Sequence, residues 1–145
     1  MRSILTAFLC GAMILNSTIC FAMVDVSKMR VGGIMPGISS EDLVSTFGQP
    51  TIKDGDEWTY KNFKVEVKRG IVTEVSTCSV TITTYDGVRV GLAATELNST
   101  FGKADKVDKE HDRVEYEYYS TDRTKKIKFK VVNGFISKIS CKLVN

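Results

Sequence analysis

The sequence predicts an α+β fold in which two tandem helix-plus-antiparallel-meander repeats form one pseudo-symmetric domain, with helices packed on a sheet. Three observations favour this fold: an internal repeat, a short helix signal in each copy, and strands whose apolar and polar residues alternate. A sheet of such strands has one apolar face, which the helices would cover. The chain has 145 residues and a net charge of +3, which excludes a large multidomain enzyme and a strongly charged nucleic-acid tail.

The first 22 residues have the layout of a secretory signal peptide. Arg2 precedes an apolar run from Ile4 to Leu15, and Cys20 and Ala22 provide the small residues of a cleavage site. Ile19 directly before Cys20 is unfavourable for a lipoprotein signal, so no lipid anchor is expected. No later segment has the roughly 20 apolar residues of a membrane span. We therefore expect residues 23–145 to be exported, into the periplasm or out of the cell.

The remaining chain contains an internal repeat. The segment from Gly33 to Gly48 recurs 54 residues later as Gly87 to Gly102, with seven identities in sixteen ungapped positions. A second match, 64 residues apart, aligns residues 64–76 with residues 128–140. The repeat predicts a first helix/meander unit over residues 23–85 and a second over residues 86–145, packed as one compact domain.

Each copy is expected to begin with a short helix. Ser39 is a good N-cap with Asp42 as its capping-box partner, Leu43 and Phe47 share one helix face, and Gly48 favours termination. The second copy lacks the capping hydroxyl, since its matching residues are Ala93, Leu97, Phe101 and Gly102. Neither helix would be stable alone, so each must pack on a sheet.

Period-two alternation predicts the strands. It covers residues 58–60, 64–68, 71–77, 79–85, 114–118 and 126–131, with a last strand after residue 134. Arg69-Gly70 and Asn133-Gly134 are expected to form tight hairpin turns, the second being the clearest hairpin signal in the chain. The charged segment before Arg113 is expected to be a solvated loop.

These motifs resemble those of two groups of small exported bacterial proteins. The repeated Gly-x-x-x-Gly segment, the Leu-x-x-x-Phe-Gly helix and the Gly-centred hairpins look like the unit of SmpA/BamE-like lipoproteins and of the tandem-repeat β-lactamase inhibitor proteins (BLIP-like). The resemblance spans about Val31 to Leu143 and implies a helix-plus-meander fold and a protein-binding role. BamE-like proteins have one copy of the unit and a lipidated cysteine, which this sequence does not match, and no inhibitory residues can be matched.

Two cysteines, Cys78 and Cys141, remain outside the signal segment. In an oxidising compartment an even number of cysteines favours a disulfide between them, within one chain or between chains. The alternative is two buried free thiols. With His111 as the single histidine, neither a zinc site nor any other metal site is expected.

The best catalytic candidate is Glu110-His111-Asp112, an imidazole between two carboxylates. Three consecutive residues of a strand cannot all face one pocket, and the charged flanks favour a solvated loop. The sequence has no nucleophile elbow, metalloprotease helix or phosphate loop. We therefore expect no enzyme activity and no cofactor.

A lysine-rich strand and a set of aromatic residues are the candidate binding features. Alternation places Lys126, Lys128 and Lys130 on one face, opposite Phe129, so charges and ring cannot contact one nucleic-acid strand together. The lysines are either a plain solvated face or a contact for an acidic protein or cell-wall polymer. The aromatic residues are core residues or interface anchors, and Trp58 and Tyr119 are the expected exposed anchors.

The expected function is that of an exported, non-catalytic protein-binding module of the bacterial envelope or secretome, of the inhibitor or assembly-factor type. Its partner would be another exported or envelope protein, and not a nucleic acid. The sequence predicts no oligomeric state. One alternative is a small-ligand or cell-wall-polymer binding protein that uses a cleft between the repeats. Another is a structural envelope protein without a separable ligand.

Overall fold

A single antiparallel sheet of eight strands organises the chain in the computed structural model, which describes residues 23–145. The predicted signal peptide, residues 1–22, lies outside the described residues. After a 3-10 helix at Val26–Lys28, the first half forms α1 (Ser40–Phe47), β1 (Ile52–Asp54), β2 (Glu57–Thr59), β3 (Lys64–Lys68) and β4 (Ile71–Thr77). The second half forms α2 (Thr95–Phe101), β5 (Lys106–Glu110), β6 (Arg113–Tyr119), β7 (Lys125–Val132) and β8 (Phe135–Leu143).

The strand order is β1-β2-β3-β4-β8-β7-β6-β5, and all neighbours are antiparallel. The last strand of each half, β4 and β8, therefore pair at the centre of the sheet, where Val75 faces Cys141 and Ser76 faces Ser140. The earlier strands of each half extend outward to the two edges, β1 and β5. Residues 23–85 thus contribute one side of the sheet and residues 86–145 the other.

Local sequence signals explain the turns and helix ends. The turns Arg69-Gly70 and Asn133-Gly134 connect β3 to β4 and β7 to β8 with positive φ at both residues, which confirms the two hairpin predictions. The Ser39 side chain accepts a hydrogen bond of 3.1 Å from the backbone N–H of Asp42 at the start of α1. The N-cap of α2 is Ala94, one residue after the predicted Ala93, and it likewise has no side-chain cap because it lacks a hydroxyl.

The predicted fold class is wrong. The chain is mostly β, with one eight-stranded sheet and two short helices, and does not form helix-plus-meander repeats with helices packed on a sheet. The eight residues of α1 extend over about 12 Å, whereas eight strands span about 34 Å, so two such helices cannot cover the sheet. Irregular segments bury much of its apolar face through Val24, Met29, Val31, Ile34, Val88 and Val90.

Two strand predictions also differ from the structure. Residues 79–85 form a turn-rich segment with isolated bridges at Thr83 and Thr84 and not a strand. The reverse holds for residues 106–110, where the sequence predicts a solvated loop and the structure has β5. Every residue of β5 is exposed, so the strand lacks the apolar alternation that would reveal it.

The core lies on one face of the sheet and includes buried side chains from both helices, Leu43 of α1 and Leu97 and Phe101 of α2. Tyr118 and Phe129 are fully buried and pack with Phe101 of α2, at ring-centroid distances of 5.1 Å and 5.2 Å from the Phe101 ring. The Tyr118 hydroxyl donates to the carbonyl of Gly102, which ends α2, at 3.4 Å. In the first half, the Tyr60 hydroxyl donates to the carbonyl of Gly48 at the end of α1, at 2.9 Å. Each helix end is thus tied to the sheet by a tyrosine.

The predicted disulfide between Cys78 and Cys141 does not form within one chain. Both residues are free thiols, Cys78 exposed and Cys141 buried in the core. The β4–β8 register pairs Thr77 with Ile139, so Cys78 lies about three residues, or roughly 10 Å, from Cys141 along the strand direction. A disulfide bridges Cα atoms that are less than about 7 Å apart. The alternative of two buried thiols is correct only for Cys141.

The two thiols should differ in reactivity. Burial raises the pKa of the Cys141 thiol to about 12, so it stays protonated and unreactive at neutral pH. We expect an aromatic disulfide reagent at pH 8 to label Cys78 but not Cys141 in the native chain, and both in denaturant, as measured by mass spectrometry of proteolytic peptides. Cys78→Ser is the matched control and should abolish native labelling of this pair. Recovery of a peptide that links the two cysteines would contradict the free-thiol arrangement.

Candidate functional site

The candidate site is the sheet face opposite the core, here called the open face. The side chains that alternate with the core residues form it, and they are mostly charged. On the five neighbouring strands β3, β4, β8, β7 and β6 they are Lys64, Glu66, Lys68, Glu74, Ser76, Lys138, Ser140, Lys142, Lys126, Lys128, Lys130, Arg113, Glu115, Glu117 and Tyr119. The buried side chains of both helices belong to the core cluster on the other face.

The structure brings four of the predicted binding residues together. Lys126, Lys128 and Lys130 share the open face because they alternate along β7 with the buried Ile127 and Phe129. Tyr119 lies opposite Lys126 in β6, with the Lys126 ammonium 5.7 Å from its ring centroid. Tyr119 is half-buried, and Arg123 lies 5.5 Å from the same ring.

Trp58 is not part of this surface, and its prediction as an exposed anchor is wrong. Its register partner in β3 is Val65, so Trp58 points to the core side, where only 8 % of its surface is exposed. The Lys53 ammonium lies 4.1 Å from the indole ring centroid and covers the remaining surface at the sheet edge. The ring therefore serves packing in the first half of the chain.

A network of ion pairs holds the β6–β7 part of the open face. Glu117 accepts from Lys126 and Lys128, each at 3.3 Å, and Lys128 also lies 3.5 Å from Glu115. The Glu117 side chain is only 8 % exposed, and those of Lys126 and Lys128 are 18 % and 29 % exposed. Burial raises the pKa of Glu117, but the hydrogen bonds from Lys128 and Lys126 outweigh burial, and the pKa lies below its ordinary value.

The central strands of the open face hold lysines that face one another. Lys130 lies directly opposite Lys138, and Lys126 directly opposite Lys142. Within residues 23–145, Lys138 and Lys142 form no ion pair, whereas Lys126 is neutralised by Glu117. Like charges in directly opposed positions destabilise a sheet. Glu74 lies opposite Lys142 and Glu115 lies opposite Lys130 on the outer sides of these pairs, which offsets part of this cost. Basic side chains still outnumber acidic ones by eight to four on these five strands, so the face keeps a positive charge.

Small side chains deepen the open face at its centre. Ser76 and Ser140 face each other there, between longer side chains on β3, β7 and β8. Two depressions of about 210 Å³ and 180 Å³ lie on either side, and both are lined by Glu74 and Lys138. Together they form a shallow trough with hydroxyl groups at its floor and charged groups at its walls.

A separate cavity of about 350 Å³ lies where β3 begins and β4 ends. Tyr60, Phe63 and Cys78 line it together with the loop before β3, and Lys138 stands between this cavity and the trough. Phe63 stacks on Tyr60 at a ring-centroid distance of 4.6 Å. The volume of this cavity falls in the range of small-ligand pockets, about 300 to 1,000 Å³.

The Glu110-His111-Asp112 cluster gains no partner groups from the fold. The turn between β5 and β6 consists of His111 and Asp112, and Glu110 pairs with Arg113 beside it. All three residues of the cluster are exposed at the hairpin tip. In the part of the chain that the structure describes, no three His, Cys, Asp or Glu side chains come together as metal ligands.

Neither helix among residues 23–145 combines the length and apolarity that crossing a bilayer requires.

The Glu117 ion pairs predict a pH-dependent contribution to stability. Since the folded pKa of Glu117 is lower than the ordinary value of 4.5, the stabilisation is complete above pH 4.5 and is lost as the pH falls through the lowered value. We expect Glu117→Gln to lower the free energy of unfolding by about 2 kcal/mol at pH 7, and by progressively less below pH 4.5, in urea titrations.

The matched control is Glu115→Gln on the same strand. Its side chain is 28 % exposed and contacts one lysine at 3.5 Å, so we expect a loss well below that of Glu117→Gln. A Glu117→Gln loss that stays constant between pH 7 and pH 3 would contradict the role of the Glu117 charge.

No protein-family model matches the chain, and no curated protein does. Three solved structures are similar to it. A DUF4309 family protein (YjgB) from Bacillus subtilis subsp. subtilis str. 168 is 14 % identical with a TM-score of 0.53, covering 73 % of this chain and 78 % of that one. An extracellular protein containing a SCP domain from Bacillus anthracis str. Ames is 10 % identical with a TM-score of 0.56, covering 74 % of this chain and 44 % of that one.

The third is a cysteine-rich secretory protein (SAV1118) from Staphylococcus aureus subsp. aureus Mu50, 13 % identical with a TM-score of 0.48, covering 83 % of this chain and 48 % of that one. This chain thus spans less than half the length of the second and third proteins. The first two likenesses show a shared fold. The resemblance to SmpA/BamE-like and BLIP-like proteins stays a prediction.

Proposed function

We propose that the chain is an exported, non-catalytic protein-binding module of the bacterial envelope or secretome, of the inhibitor or assembly-factor type, which engages its partner through the open face. The observation that carries this proposal is the row of opposed lysines at the centre of that face, Lys130 with Lys138 and Lys126 with Lys142. A partner that presents carboxylates to the trough would neutralise Lys138, which lines both depressions and forms no ion pair among residues 23–145. The partner is therefore an exported or envelope protein with an acidic surface.

Export is supported by the layout of residues 1–22 and by one structure of similar fold, which is that of an extracellular protein. Processing after Ala22 would leave a chain that begins at Met23. We expect the intact mass of the chain recovered outside the cytoplasm to match residues 23–145. A mass that includes residues 1–22, in a chain retained in the cytoplasm, would contradict export.

The stability cost of the lysine pairs supports a binding role. A directly opposed pair of charges changes the stability of a sheet by about 0.2–1 kcal/mol, favourably for opposite charges and unfavourably for like charges. Replacing Lys138 by glutamate would therefore stabilise the sheet, because Lys130 lies opposite it. Complementary charge also accelerates association and excludes partners of the wrong charge. Tyr119, at the β6 end of the Lys126–Lys142 row, adds a ring with a polar tip to the same surface.

The test uses the purified chain as bait against the envelope and secreted proteins of the producing organism. We expect one stoichiometric partner whose binding weakens with salt, and Lys138→Glu should weaken binding about tenfold or more. The same variant should leave the free energy of unfolding unchanged or raise it by up to about 1 kcal/mol, because Lys130 gains an opposite charge.

Lys61→Glu is the matched control, because Lys61 lines the 350 Å³ cavity but not the open face, whereas Lys138 borders both. It makes the same charge change and should bind the partner normally. Absence of any partner for the folded bait, or a partner that binds Lys138→Glu as well as the original chain, would overturn the proposed binding surface.

The second candidate function is the binding of a small ligand or a cell-wall polymer. The specific observation that favours it is the 350 Å³ cavity with the stacked rings of Tyr60 and Phe63. This function predicts a rise in the melting temperature with envelope metabolites or polymers and none with proteins. The rise would be lost in Lys61→Glu and in Phe63→Ala, which leave the trough intact.

A further inference from the structure

Among residues 23–145, no strand pairs with the outer edge of β5. β5 is the last strand of the sheet, and all five of its residues are exposed. At its centre, Val107 is 45 % exposed, which is high for a branched apolar residue in a strand. A free strand edge presents backbone N–H and C=O groups that can pair with another strand. The opposite edge, β1, has only three residues.

The charges along this edge are complementary to the same edge read in the opposite direction. Residues 105–109 read Asp-Lys-Val-Asp-Lys, so the charge signs are minus, plus, neutral, minus and plus. When two copies of this segment run antiparallel about Val107, each Lys106 faces an Asp108 and the two valines face each other. Asp105 stays within its own copy, where its carboxylate accepts from the backbone N–H of Tyr119 at 2.8 Å. The register thus places two opposite-charge pairs on either side of an apolar pair.

We propose that a second copy of this chain docks on β5, forming an antiparallel pair centred on Val107 that continues the sheet across both copies. A continuous sheet requires that directly opposed residues share a face, and this register satisfies that condition. Lys106 and Asp108 belong to the open face because their partners in β6 are Glu117 and Glu115.

The backbone of β5 fits the same register. The two-residue turn at His111-Asp112 makes Glu110 and Arg113 the closing pair of the hairpin. Alternation from that pair directs the backbone hydrogen bonds of residues 106, 108 and 110 toward β6, and those of Val107 and Lys109 outward. The two Val107 residues can therefore exchange both backbone hydrogen bonds across the interface.

The charges within one copy favour the second copy as the occupant. Asp108 lies directly opposite Glu115 in its own sheet, a like-charge pair that destabilises the edge. A Lys106 from the second copy would lie on the other side of Asp108 and offset that repulsion. Centring the pair on Asp108 would place the two Asp108 carboxylates opposite each other, so charge selects the register about Val107.

The experiment is a charge swap read by sedimentation equilibrium of the purified full chain. We expect the original chain to dimerise reversibly, with a dissociation constant below about 1 mM that rises with salt. Lys106→Asp and Asp108→Lys, each alone, create like-charge pairs in the dimer and should weaken it about tenfold. An equimolar mixture of the two variants restores every pair and should dimerise as the original chain does.

The control is Asp56→Lys, an exposed substitution of the same charge in the β1–β2 turn, which should leave the dimer unchanged. Circular dichroism establishes that each variant is folded. Asp108→Lys gains an attraction to Glu115 and tests the interface by itself if Lys106→Asp, which faces Glu117, does not fold.

A monomeric original chain at 1 mM, or single variants that dimerise as the original does, overturns the proposal. Failure of the equimolar mixture of Lys106→Asp and Asp108→Lys to restore the dimer also overturns the proposal. Because these variants lie at the edge and not in the trough, partner binding through the open face can fail or succeed independently.

Discussion

The pairing of β4 with β8 determines what each side of the molecule presents. It joins the two halves of the chain and sets one register for the whole sheet: Val75 and Cys141 enter the core, while Ser76 and Ser140 face outward. A slip of one residue would exchange these two sets, because side chains in a strand alternate with a period of two. The hydrophobic face thus specifies the register, and the arrangement of charges on the open face follows from it.

The division of the sheet into two faces separates the core from the surface that we propose for binding. The core face carries tightly packed rings and aliphatic side chains, and the irregular segments that cover it contribute buried residues such as Met29 and Val31. The open face carries a cost in the opposed lysines at its centre, whereas the Glu117 ion pairs beside them add stability. Features that reduce stability but gather charge on one surface are typical of recognition sites. The solved structures of similar fold share only the scaffold with this chain. Any functional argument about the open face therefore depends on the side chains of this chain itself.

The lysine part of the candidate site could be predicted because it depends on alternation within one strand. Lys126, Lys128 and Lys130 share a face wherever β7 pairs. Trp58 could not be assigned in the same way, since its burial depends on pairing with Val65 and on the cover that Lys53 provides from a neighbouring strand. The Asn133-Gly134 hairpin places β8 beside β7, but the opposed residues Lys138 and Lys142 were missed because a register shift at Lys130/Val131 displaces the pairing by one residue from that of a regular hairpin.

The hairpin at Asn133-Gly134 and the Ser39 cap follow from conformational preferences that act over two to four residues, and both are readable in the printed sequence. The mostly β architecture, the edge strand β5 and the distance between Cys78 and Cys141 follow from strand pairings between distant segments. Such pairings are selected by the burial of the complete apolar face, a property that no single segment has. For that reason the turns and caps were predictable residue by residue, whereas the fold class and the free thiols required the assembled sheet.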